Sequence, residues 1–121
     1  MAALNIAFEA PDNAGGISSK VRPIDLIHLA RQTMGDKVLE LEVLQMFARQ
    51  ARQSMKDISL SEGDARAAFA HRLKGSAQSV GATAVAAAAA ALENDPADAS
   101  AMADVAATVV DAENFILKLC R

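Results

Sequence analysis

From Pro23 onward, apolar residues recur at intervals of three and four, the period of an α-helix with one buried face. A short first helix is predicted near Ile24–Thr33, with Ile24, Ile27 and Ala30 or Met34 inward, stopped by Gly35. Asp36 is placed to cap a long second helix reaching about Ile58, whose inward face is Leu41, Leu44, Ala48, Ala51, Met55 and Ile58. "SLSEGD" breaks it. Ser61 with Asp64 fits a capping box for the third helix, and Asp64 is a rival cap. That helix should run to Val80, with Gly81 ending it, and residues 82–93 form a fourth, alanine-rich helix. In "NDPADAS", Asp95 can cap, Pro96 can take the first helical position, and Asp98 adds charge where the helix dipole favours it. The last helix carries Met102, Val105, Val109, Ala112, Ile116 and Leu119 inward.

No alternating run suggests a strand. Short connections make successive helices antiparallel neighbours. The predicted fold is all-α: an up-and-down antiparallel four-helix bundle over residues 22–121, with a short N-terminal helix covering one apolar end. Residues 1–21 hold no lasting period and read as a flexible lead-in, in which Ile6 and Phe8 could pack locally.

"HRLKG", residues 71–75, sits inside the third helix, where glycine costs about 1 kcal/mol relative to alanine. On a helical wheel, Phe69, Leu73 and Val80 all fall within about 20° of the side opposite His71, so the imidazole should face solvent. Ala67, Gly75, Gln78 and Ala82 fall within about 40° of it, and Lys74 at about 60°. Missing a side chain at Gly75 would let a bulky group or another protein approach the ring, and Lys74 could offset negative charge there. Arg66 falls near the core side in the first turn, where its stem could snorkel out at the bundle end. Arg72, at about 100°, could touch the rim.

Composition narrows the chemistry. Twelve basic and fifteen acidic residues give a net charge of -3, which does not recommend a nucleic-acid partner. The charge is uneven: Gly75–Leu117 holds six acidic residues and no basic one, whereas Lys37–Lys74 holds seven basic and five acidic. No apolar run is long enough to span a bilayer, and no signal segment is visible, so a soluble cytoplasmic protein is expected. Cys120 is the only cysteine and cannot form an internal disulfide. Hydrolysis by a triad has no local support around His71. Metal binding has less, with His28 on a separate short helix and no H-x-x-x-H pair. An imidazole with pKa about 6.5 offers a ring nitrogen as nucleophile near neutrality. A negatively charged electrophile, such as a phosphoryl group, fits the surroundings of His71. An ordinary surface histidine is the competing reading.

"AHRLKGSAQSVGA", residues 70–82, resembles the signature of histidine-containing phosphotransfer (Hpt) domains. The flanking "IDLIHLARQTMGDKVLELEVLQMFARQARQSMKDI", "GDARAAFAHRLKG" and "AAAAALE" resemble the family in order and spacing, so the likeness covers about residues 22–118. It implies that His71 is phosphorylated on Nε2 by a receiver-domain aspartyl phosphate and passes the group to another receiver's aspartate. Lys74 would balance the phosphoryl charge, Gly75 would give the receiver access, and Gln78 could hydrogen-bond at the pocket edge. Glu93 matches a position where relatives often carry glutamine. A carboxylate there would repel a phosphohistidine unless it held the Nδ1 proton.

The implied partners are the receiver domains of a hybrid histidine kinase and of a response regulator. The implied divalent metal, magnesium, is supplied by the receiver; no cofactor or metal of the chain's own, no membrane or nucleic acid and a monomeric state are expected. Docking candidates are Ile27, Met34, Leu39, Val43 and Phe47, with Arg49, Arg52, Arg66 and Arg72 as further ones, while Met46, Met55 and Met102 read as core fillers. Two rivals stay open: a phosphoacceptor domain labelled directly by an ATP-dependent kinase, disfavoured because no kinase motif follows, and a helical adaptor that sequesters a receiver without transfer. The chain would be a phosphohistidine carrier rather than a stand-alone catalyst.

Overall fold

Asp36 fixes the start of the longest helix: its carboxylate accepts from the Leu39 amide at 3.1 Å, and the chain is helical from Lys37 to Ser59. The computed structural model describes residues 22–120. They form α1 (Leu26–Gln32), α2 (Lys37–Ser59), α3 (Gly63–Val80), α4 (Thr83–Asn94) and α5 (Ala99–Leu119), with no strand among the described residues. α2 packs on α3 and α5, and α4 packs on the same two, closing an up-and-down ring of four. The lead-in expected over 1–21 lies outside the described residues.

The core is aliphatic and small. Leu44, Phe47, Ala51 and Ile58 of α2 meet Ala70, Leu73, Ala77 and Val80 of α3, with Val85, Ala89 and Leu92 of α4 and Val105, Val109, Ala112 and Ile116 of α5. Burying each larger side chain contributes about 1.5–3 kcal/mol. Alanines line both sides of the α3–α4 contact, the most extensive in the bundle, and their methyl groups let the two backbones approach closely.

Several faces and caps differ from the periodic reading. Phe47 is buried and Leu41 exposed on α2, and Leu119 is exposed at the end of α5, where Ala101 adds to the buried face at the start. Met46 is not a core filler: it stands 61% exposed. Ser61 does not cap α3; its hydroxyl donates back to the Asp57 and Ile58 carbonyls and finishes α2. Asp64 does not cap α3 either, which begins after Glu62 with no side-chain cap. Asp98, rather than Asp95, caps α5 by accepting from the Ser100 and Ala101 amides, and Asp95 closes α4. Pro96 therefore lies in the turn. Arg66 behaves as expected of an inward arginine at a bundle end, donating to the carbonyls of Ile58 and Pro96 and tying the two lower turns together.

α1, at seven residues, is far below the length at which an isolated helix is stable in water, roughly 12–15 residues. Tertiary contacts hold it. Ile24 and Leu29 are fully buried, whereas Ile27 and Met34, expected inward, are 69% and 94% exposed. The Asp25 amide donates to the Gly81 carbonyl at 2.8 Å, and the His28 Nε2–H donates to the Ser79 carbonyl at 3.2 Å. These bonds seat α1 on the end of α3. Gly81 makes the seat possible: its φ is +81°, and a Cβ there would lie 3.0 Å from the Asp25 carbonyl oxygen.

Candidate functional site

His71 stands midway along α3 on the side away from Leu73 and Val80, and its side chain is 65% exposed. One turn on, Lys74 emerges beside it, 27% exposed. Glu93, in the last turn of α4, reaches across the alanine seam to both. Its Oε2 lies 2.8 Å from His71 Nδ1, and its Oε1 lies 2.9 Å from Lys74 Nζ.

This bridge decides the state of the ring. A carboxylate accepts only, so Nδ1 must carry the proton and donate. In the neutral imidazole, Nε2 then holds the lone pair. Lys74's ammonium holds the Glu93 carboxyl below its ordinary value; partial burial opposes this, and the bond and charge of His71 add to it. The lowered value means that the carboxylate, and the order it imposes, persists through neutral pH and is lost only as pH falls through the acid range. The result is a surface imidazole with an available Nε2 and an ammonium alongside. It can attack an electrophile whose negative charge the ammonium partly offsets.

Gly75 needs neither unusual backbone geometry nor interior space. A Cβ built on it would meet nothing within 4 Å, so the gap it leaves opens outward beside His71. Gln78 is exposed on the same side, but among the described residues its side chain makes no hydrogen bond to His71, Lys74 or Glu93. Ala82, placed on this strip by the wheel, is fully buried, because α3 ends at Val80 and the left-handed Gly81 turns the chain inward. Arg72 packs its guanidinium over the Phe69 ring, 5.2 Å from the centroid, and flanks the site.

Of the apolar docking candidates, Ile27, Met34 and Leu39 are exposed, Val43 is half-buried, and Phe47 is buried in the core. Periodicity missed the exposed Val38 and Met46. Met46 and Val43 edge a shallow groove of about 210 Å³ between α2 and α3 that includes Ser76 and Ser79. A larger groove, about 580 Å³, lies between α2 and α5 and contains none of the site residues; there Arg52 pairs with Glu113.

The model of one protein family, described as the Hpt domain, matches residues 42–115, more than half of the chain. The chain belongs to the Hpt family. No curated protein and no solved structure is significantly similar to it. The matched range runs from the second turn of α2 to the last part of α5 and includes the whole of α3 and α4, hence every residue of the bridge. α1 lies outside it. The general role of this Hpt domain is therefore histidine phosphotransfer within a phosphorelay. Among its described residues, no helix is long and apolar enough to cross a membrane.

Proposed function

We propose that His71 of this Hpt domain accepts a phosphoryl group on Nε2 from a receiver-domain aspartyl phosphate and delivers it to an aspartate of a second receiver. What carries the reading is the 2.8 Å bond from His71 Nδ1 to Glu93 on a ring that is otherwise open to solvent. Nδ1 is engaged, so the reactive lone pair is the one facing outward. Nε2 attacks phosphorus in line with the departing aspartyl oxygen. Lys74 supplies positive charge beside the incoming group, and Gly75 leaves room for the receiver's surface. Most of the effect is positioning and charge compensation, as phosphoryl transfer requires. The receiver brings its own aspartate, lysine and divalent metal, magnesium. The partners on this reading are the receiver of a hybrid histidine kinase and that of a response regulator, met one at a time by a monomeric carrier in the cytoplasm. The groove beside Met46, Val43 and Ser76 and the exposed Ile27, Met34 and Leu39 offer apolar surface for that docking.

The test is a pair of incubations followed by a chase. The chain should take label from a phosphorylated receiver and lose it on addition of a second, unphosphorylated one. Efficient labelling by a kinase core and ATP with no receiver present would instead make it a direct kinase substrate. Label that never leaves, within a tight complex, would make it a sequestering adaptor.

Gly75 gives a prediction with opposite signs in two measurements. Since a Cβ there meets nothing, Gly75→Ala should stabilise the fold by about 1 kcal/mol in urea unfolding. The same methyl group stands where the receiver must close on the ring, so transfer from a phosphorylated receiver should slow by about tenfold to a hundredfold. Unchanged transfer would remove Gly75 from the site.

A further inference from the structure

We infer that Glu93 makes the phosphoryl group on His71 short-lived, so that the domain passes phosphate on quickly rather than storing it. This rests on the His71 reading above and adds a consequence of having a carboxylate, not an amide, at that bridge.

When Nε2 attacks, an N–P bond forms and the P–O bond to the aspartyl carboxylate breaks, the electron pair leaving with that carboxylate. No proton moves. The ring keeps its Nδ1–H and becomes a phosphorylated imidazolium, with one positive charge spread over two substituted nitrogens. In the onward step a carboxylate oxygen of the second receiver's aspartate (or water, in hydrolysis) bonds to phosphorus as the N–P bond breaks, the pair returns to Nε2, and the neutral Nδ1–H imidazole is regenerated. As long as Nδ1 keeps its proton, the leaving group is a neutral imidazole and the phosphoryl group is labile. Once Nδ1 is deprotonated, the leaving group would be an imidazolate, and the bond to phosphorus becomes durable.

Glu93 favours one of these two states. Its Oε2, 2.8 Å from Nδ1, can only accept, and its charge pairs with the imidazolium. It repels a bare Nδ1. A glutamine could turn its amide and donate to that bare nitrogen, stabilising the durable form. The other charged group bound to this carboxylate, among the described residues, is Lys74 on α3, at 2.9 Å from Oε1; Arg72, also on α3, points to Phe69. Lys74 binds Oε1 and leaves Oε2 to the ring, while the packing of α4 on α3 sets where Glu93 stands. The family resemblance implied a carboxylate near the site, but only the α3–α4 packing shows that both of its oxygens are engaged.

The test uses the full chain labelled with phosphoramidate, a small donor that needs no receiver, and follows loss of phosphohistidine at pH 8. Glu93→Gln should lengthen the half-life about two- to fivefold, the range expected for a partly exposed charge pair. In NMR titrations of the phosphorylated ring, the Nδ1 pKa should fall by the matching 0.3–0.7 unit, roughly the logarithm of that ratio. A purely structural role for Glu93 would not move that titration. The same ratio should survive in a Lys74→Gln background. An unchanged half-life and Nδ1 pKa would overturn the inference while leaving His71 as the acceptor. A ratio that vanishes without Lys74 would also overturn it, because the effect would then belong to the released ammonium. If wild-type His71 takes no label at all, the acceptor reading fails first and the inference with it.

Discussion

His71→Gln should leave no acid-labile, base-stable label after incubation with a phosphorylated receiver, while the helical content and unfolding midpoint stay close to wild type. The two halves of that expectation have separate causes. The imidazole is 65% exposed and contributes nothing to the core, so its replacement by a polar side chain of similar reach belongs with surface changes worth about 0.5 kcal/mol or less. The glutamine can still hydrogen-bond to Glu93 through its amide. It has no nitrogen lone pair able to attack phosphorus, because the amide pair is delocalised into the carbonyl. Lys74, Gly75 and Glu93 would all remain, with nothing for them to assist. Label retained in this variant would place the acceptor elsewhere, and His28 would be the next ring to examine, although its Nε2 is already committed to the Ser79 carbonyl.

The second large effect is on stability. Gly81→Ala should cost about 2–4 kcal/mol in urea unfolding, the sum of an alanine forced into the left-handed region and a crowded contact. The crowding is with the Asp25 carbonyl oxygen at 3.0 Å and the Asp25 Cβ at 3.1 Å, parts of the chain that cannot swing aside. Asp25 in turn caps α1 by accepting from the Ile27 and His28 amides, so displacing it loosens the whole short helix. Hydrogen exchange at Leu29, whose amide donates to the Asp25 carbonyl, should report this first. A loss under about 1 kcal/mol, with Leu29 still protected, would mean that α1 is seated by its apolar residues alone. Two glycines near the end of α3 thus differ in sign: alanine at 75 adds stability, and alanine at 81 removes it.

Long helices were legible in the sequence because many residues vote on one face. Val105, Val109, Ala112 and Ile116 of α5 are buried as their spacing predicts. α1 was misread because two turns offer too few residues to fix a face, and Ile24, outside the helix, together with the contact at Gly81 chooses Leu29 over Ile27. The caps failed where two candidates lay within four residues. Asp95 and Asp98 both suit an N-cap, and the choice depends on where α4 ends. At the site, the wheel placed His71, Lys74 and Gly75 on one surface without help from tertiary structure. It could not supply the distance between α3 and α4: Glu93 came from the family resemblance alone, as either a source of repulsion or a holder of the Nδ1 proton, and its second bond, to Lys74, was not legible.

The methyl-lined contact between α3 and α4 has a bearing on how this domain could change over time. It works as a spacer whose thickness is set by the smallest side chain available, and residues 71 and 93 hang from opposite edges of it. Swapping one of those alanines for valine would thicken the spacer and pull the acid off the ring, even though no group that touches phosphate had been altered. Variation in an unreactive seam is thus a route by which the lifetime of a signal could be retuned.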